Sequence, residues 1–228
     1  MMKRISPWLA TVIILVLAGV ACSRTFGPSN PSTTGTTQPP IEKHLSGFRQ
    51  IEGTEYMIAD ISASPEASGR GDFSPFRWIE SGYSGYSGYE IFNYVFFSSK
   101  TESFIRLLPT NDQVVLQIIG FPYQTATDKP EDFKPVMWWL FVIARDDTDG
   151  NGRLTYGDKL TMGISDVGGN GFTEIIPDAD SLLGNVLKND DTLFVIYHSA
   201  DKNSIAKIDL PSRKVVSTTE MSLGDDVK

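Results

Sequence analysis

From residue 55 onward, apolar and polar positions alternate with a period of two rather than 3.6, in short runs separated by turn residues. This pattern predicts strands over 55–59, 92–97, 103–108, 113–119, 136–144, 159–164, 171–176, 192–198, 204–209 and 214–217. Turn residues at 99–102, 168–171, 190–191 and 201–203 punctuate nearly all of them. The run 136–144 is apolar at every position, which suits a strand covered on both faces in the middle of a domain. Trp138 and Trp139 would then point to opposite faces, with core packing the default for both. No ten-residue stretch carries helical periodicity, so the expected fold is an all-β antiparallel meander occupying residues 47–228.

Two of the predicted strand–turn–strand units look alike. Residues 97–109 and 164–177 both end in two aliphatics and a proline (Leu107-Leu108-Pro109 and Ile175-Ile176-Pro177), followed by an Asp-containing turn and a new strand. Units of this kind resemble blades of the WD40-like, or TolB-type, β-propellers. At about 40–45 residues per blade, ~180 residues supply four blades at most, and long loops consume part of that. The resemblance therefore implies partial propeller-like blades or a sandwich rather than a closed ring.

The N-terminus reads as an address. Lys3 and Arg4 precede the apolar run 8–17, which has the length of a secretory h-region and is short for a membrane span of about 20 residues. The run ends at Ala18-Gly19-Val20-Ala21-Cys22, which resembles a bacterial lipobox, with Gly19 standing where Leu is usual. That resemblance implies a signal peptide over 1–21, cleavage before Cys22 and acylation of its thiol. Ser23 is not the Asp that resembles an inner-membrane retention signal, so the outer membrane, facing the periplasm, is the expected location. Several acyl chains make such anchoring stable. Residues 22–46, rich in Pro, Thr and Ser, bury too little apolar surface to offset ordering entropy and are expected to form a disordered tether.

The most specific chemistry lies at 147–158. Asp147, Asp149 and Asn151 alternate at positions one, three and five of a twelve-residue segment that resembles an EF-hand calcium loop, with Gly152 at the sharp turn of position six. Arg153 would contribute its backbone carbonyl, Thr155 a ligand acting through water, and Asp158 the closing carboxylate, where Glu is usual. Leu154 supplies the apolar side chain that pins the loop to the core. Calcium needs six to eight oxygens, and this spacing turns several toward one point; one calcium ion is expected, with magnesium as the alternative. Strand-like sequence on both sides argues for a structural staple, since sensor EF-hands signal by changing the angle between two helices. A lipoprotein with such a loop resembles Gram-negative lipoproteins and EF-hand-containing proteins to which no activity is attached.

Composition narrows the functions. Twenty Lys and Arg against 28 Asp and Glu give a net charge of −8, made more negative when Lys3 and Arg4 are cleaved away, so nucleic acid is not an expected partner. One cysteine and two histidines, His44 and His198, exclude an internal disulfide and a Cys/His zinc cluster. No nucleophile elbow, metalloprotease helix, phosphate loop or dinucleotide fingerprint is present, and His198 is placed at a strand end. The triplicate Ser-Gly-Tyr of 81–89 offers Tyr83, Tyr86 and Tyr89 as stacking groups for a sugar or peptide partner. Arg70-Gly71-Asp72 matches an integrin tripeptide, too short a match to carry weight. The sequence therefore predicts a non-catalytic binding or scaffold module contacting an envelope protein or glycan. The alternative is an envelope glycan or peptide hydrolase whose site the sequence does not reveal.

Overall fold

The computed structural model describes residues 41–63, 90–123, 133–222 and 224. Thirteen strands run through them in chain order: β1 Lys43–Leu45, β2 Arg49–Gln50, β3 Tyr56–Ala63, β4 Ile91–Ser98, β5 Ser103–Arg106, β6 Val114–Phe121, β7 Trp138–Ala144, β8 Leu160–Asp166, β9 Thr173–Ala179, β10 Ser181–Asn189, β11 Thr192–Ser199, β12 Lys202–Asp209 and β13 Lys214–Glu220. Every pairing is antiparallel. The strands form three sheets: β1-β3-β4-β5 with β2 also on β3, then β6-β7-β8-β9, then β10-β11-β12-β13. The expected all-β meander is thus divided into three successive blade-like units. No helix among the described residues is long and apolar enough to cross a membrane.

The side-chain pattern of β7 explains how the units stack. Trp139, Phe141 and Ile143 pack with Ile58, Tyr94 and Phe96 of the first sheet, while Leu140, Val142 and Ala144 pack with Leu193, Val195, Ala206 and Ile208 of the third. Alternate residues of a strand face opposite sides, so an uninterrupted apolar run serves two cores at once. The adjacent tryptophans divide as expected: Trp139 is 1% exposed and donates its indole N–H to the Val167 carbonyl at 2.9 Å, and Trp138 packs against the other core. The two look-alike units occupy equivalent places, as the β4–β5 and β8–β9 hairpins that end the first two sheets.

Three strands escape the alternation rule. β10 carries Gly184, Asn185 and Lys188 and is broken by two register shifts, so no clean period survives in its sequence. β1 lies inside the stretch expected to be a tether, where it pairs Lys43–Leu45 with the far end of β3. β2 is two residues long, below what any periodicity can register. Conversely Leu107 and Leu108 leave the predicted strand; both are buried in the core of the first two sheets, and Leu108 N–H donates to Asn93 Oδ1 at 3.0 Å.

The turns are tight where the pattern placed them. β11 and β12 are joined by Ala200 and Asp201, both left-handed (φ 50° and 63°), the geometry whose twist matches a two-residue hairpin. The β8–β9 turn is built on Asp166, whose Oδ1 accepts from the N–H groups of Gly168 and Asn170 at 3.0 and 2.7 Å. Gly169 there has φ 76°, and a Cβ on it would lie 2.3 Å from the Phe96 ring of the first sheet. On the other side, a Cβ on Gly171 would lie 2.7 Å from the guanidinium carbon of Arg213, which reaches in from the third sheet.

Candidate metal loop and inter-sheet cleft

Ala144 at the end of β7 pairs with Leu160 at the start of β8, so residues 145–159 form the loop of a hairpin whose strands are buried. The loop folds around its own short polar side chains. Asp147 accepts from the N–H groups of Asn151 and Gly152 at 3.0 and 2.8 Å. Asp149 accepts from the same Asn151 N–H at 3.0 Å and from its side-chain amide at 2.7 Å, while Asn151 Oδ1 accepts from Arg153 N–H at 2.8 Å. Asx side chains that bond the backbone a few residues on replace the ladder partners a loop lacks. Gly152 has φ 80°, the left-handed turn that its place in the loop demands. Leu154 packs against the core between the second and third sheets.

Asp158 is the buried member, 2% exposed. Its Oδ1 accepts from Thr148 N–H at 2.6 Å and Asp149 N–H at 3.2 Å, and its Oδ2 from Thr155 N–H at 2.8 Å. Burial pushes its carboxyl upward, but these three backbone donors and the Thr148 hydroxyl outweigh burial and hold it below the usual carboxylate range. It therefore carries a negative charge at neutral pH in the floor of the loop.

One oxygen from each of Asp147, Asp149 and Asp158 lies within 4.8 Å of the other two. Two oxygens on the same calcium ion are at most about 5 Å apart, twice the metal–oxygen bond length, so the three carboxylates fit a common ion. Asn151 and Thr155 lie in the same loop and, like the three carboxylates, accept hydrogen bonds from its backbone N–H groups, Thr155 Oγ1 from Gly157 N–H at 3.1 Å. The Arg153 guanidinium turns away to Glu90 at 3.4 Å, which keeps a cation out of the carboxylate cluster.

A second concavity, of about 390 Å³, opens between the first and middle sheets. Tyr56, Phe96 and Ile105 form its apolar wall, and the Gly168–Asn170 side of the β8–β9 turn closes it. Thr101 and Ser103 share a hydrogen bond at 2.7 Å on its rim, and Glu55 and Lys100 border the opening. Burial, assisted by Glu55 and Asp166, pushes the Tyr56 phenol up, further from neutrality and from the range useful in proton transfer. No spacing in the sequence announces this cleft, because Tyr56 and Asn170 meet only through sheet stacking.

His198 lies near the end of β11 with Nδ1 3.0 Å from Asn203 Oδ1. Cys22, Tyr83, Tyr86, Tyr89 and the 70–72 tripeptide lie outside the described residues.

No family model matches the chain, and no curated protein sequence matches it. Among solved structures, the chain is similar to the β-propeller domain of the Trilobed protease from Pyrococcus furiosus, a domain described as having an open velcro topology. The TM-score is 0.36 and the identity 12%, over 79% of this chain and 43% of that one. The chain thus spans less than half the length of that domain. The blade-like division of the fold rests on the strand pairing described above.

Proposed function

We propose that the protein is a lipid-anchored, non-catalytic binding or scaffold module of the outer membrane whose β7–β8 hairpin is fixed by one calcium ion. The observation that carries the reading is the convergence of Asp147, Asp149 and Asp158 at the tip of a hairpin buried on both faces. An ion there neutralises three clustered carboxylates and locks the long loop without moving a helix, which is the work of a staple. Weak extracellular-type sites, of order 10⁻⁴–10⁻³ M, fill where calcium is abundant. The apolar run before Cys22 supports the anchor, and the Pro/Thr-rich stretch after it supports reach from the bilayer toward an envelope protein or glycan.

Thermal unfolding of residues 41–228 in EDTA, calcium or magnesium tests the staple. At about 10 mM calcium, ten- to a hundredfold over such a Kd, a ligand bound only by the native state adds about 1.4–2.7 kcal/mol, roughly 3–10 °C for a domain of this size. The gain should vanish in an Asp147→Ala, Asp149→Ala double variant. Equal melting of the wild type in EDTA and in millimolar calcium sinks the metal reading and leaves an anchored β-module.

A further inference from the structure

The cleft between the first and middle sheets has a lining that neither the metal loop nor the anchor uses. Cross-strand pairing sets it out as two rows on one face of the first sheet: Tyr56, Ser98 and Ser103 at the strand ends, then Phe96 and Ile105 one step in. The Gly168–Asn170 side of the β8–β9 turn stands opposite. At about 390 Å³ the space falls within the ~300–1,000 Å³ of small-molecule sites. Its polar groups are only partly engaged. Ser98 is 8% exposed; its Oγ accepts from Thr101 N–H at 3.3 Å, and among the described residues nothing accepts its proton. The Tyr56 phenol, which burial keeps protonated, has no hydrogen-bond partner among them either. Asn170 donates its side-chain N–H to Asp166 Oδ1 at 3.3 Å, which leaves its own amide oxygen to accept. Buried polar groups in native folds are almost always hydrogen-bonded, so open hydroxyls lining a cavity mark it as a place for a polar ligand.

We infer that this cleft binds an N-acetylated hexosamine, as a mono- or disaccharide. An acetamido group carries a carbonyl oxygen, an N–H and a methyl. The oxygen matches the Ser98 and Tyr56 O–H donors, the N–H matches the Asn170 oxygen, and the methyl matches Ile105 beside Phe96. Ring hydroxyls, each both donor and acceptor, match the Thr101 and Ser103 hydroxyls on the rim. Glu55 and Lys100 at the opening cancel in charge, which favours an uncharged ligand. The inference rests on the reading of the protein as a binding module and gives that module a ligand class. It does not rest on the metal, because the cleft and the 145–159 loop lie at opposite ends of β8.

Titration of the detergent-solubilised full chain with N,N′-diacetylchitobiose, read by saturation-transfer NMR and calorimetry, tests it. Cellobiose, the same rings with hydroxyls in place of the acetamides, is the control. Saturation should reach the acetyl methyl protons, and cellobiose should bind about tenfold more weakly or less. Ser98→Ala should weaken diacetylchitobiose about tenfold by removing a buried donor. Ser103→Trp, at an exposed position of β5, should fill the opening and abolish binding with melting unchanged. Affinity should be equal in EDTA and in millimolar calcium, so loss of the metal reading leaves this result standing. No transfer to diacetylchitobiose at millimolar sugar, equal affinity for cellobiose, or binding unchanged in either folded variant overturns the inference. So does an alanine dipeptide that binds where the sugar does not, a result that makes Glu55 and Lys100 the recognition groups. These outcomes leave the module reading with a protein or peptide partner.

Discussion

Asp158 braces the loop independently of any ion, and Asp158→Asn isolates that role. The carboxylate receives three backbone N–H groups and the Thr148 hydroxyl. Asparagine keeps one oxygen, enough for the donors on Oδ1, but loses the charge and turns an NH₂ toward Thr155 N–H. A lost charge-assisted bond with a donor left facing a donor costs about 2–3 kcal/mol. For a domain of this length that is roughly 5–10 °C in melting temperature. Melting followed by tryptophan fluorescence in EDTA measures it with metal excluded. The pH dependence supplies a second reading of the same quantity. A carboxyl held below its ordinary value of 3.8 contributes stability that is fully present above that value and is lost as pH falls through the depressed folded-state value. The gap between wild type and variant should therefore be constant above about pH 5 and close progressively below about pH 4. A variant melting within about 2 °C of wild type in EDTA at pH 7 refutes the bracing argument.

Further outcomes follow from the packing. Gly169→Ala combines a left-handed backbone with a Cβ driven into the buried Phe96 ring, and should cost about 2–4 kcal/mol in urea unfolding. Trp139→Ala empties the core between the first two sheets and frees the Val167 carbonyl, a loss of about 3–5 kcal/mol by the same measurement. Cys22→Ser should abolish incorporation of labelled palmitate and release the protein from the membrane fraction; unchanged labelling removes the lipoprotein reading.

What the sequence disclosed depended on how many residues a feature spans. The uniform apolar run of β7 announces a strand with two buried faces, because a single element carries the whole signal. The Asp/Asn/Gly spacing of 147–158 is equally local, and the structure gathers Asp147, Asp149 and Asp158 around one point while Leu154 enters the core. β10 stays hidden because Gly184, Asn185 and two bulges erase its period; what holds it is pairing along β11, with Asn185 beside Val195 and Leu187 beside Leu193. The Tyr56 cleft is a product of how sheets are layered. No window of consecutive residues contains that information.

The β8–β9 turn has a consequence for how this molecule comes apart. In an array of stacked units where each touches only its neighbours, stability is a sum of unit and joint energies, and an end unit can peel away alone. Here one six-residue turn of the middle unit places Gly169 against Phe96 of the first and Gly171 against Arg213 of the third, with the Arg213 guanidinium 3.9 Å from Asp166. Fraying of either terminal unit removes a wall from the turn on which the other leans. The chain has thereby acquired a coupling beyond nearest neighbours, and three modules of similar design should melt in a single transition.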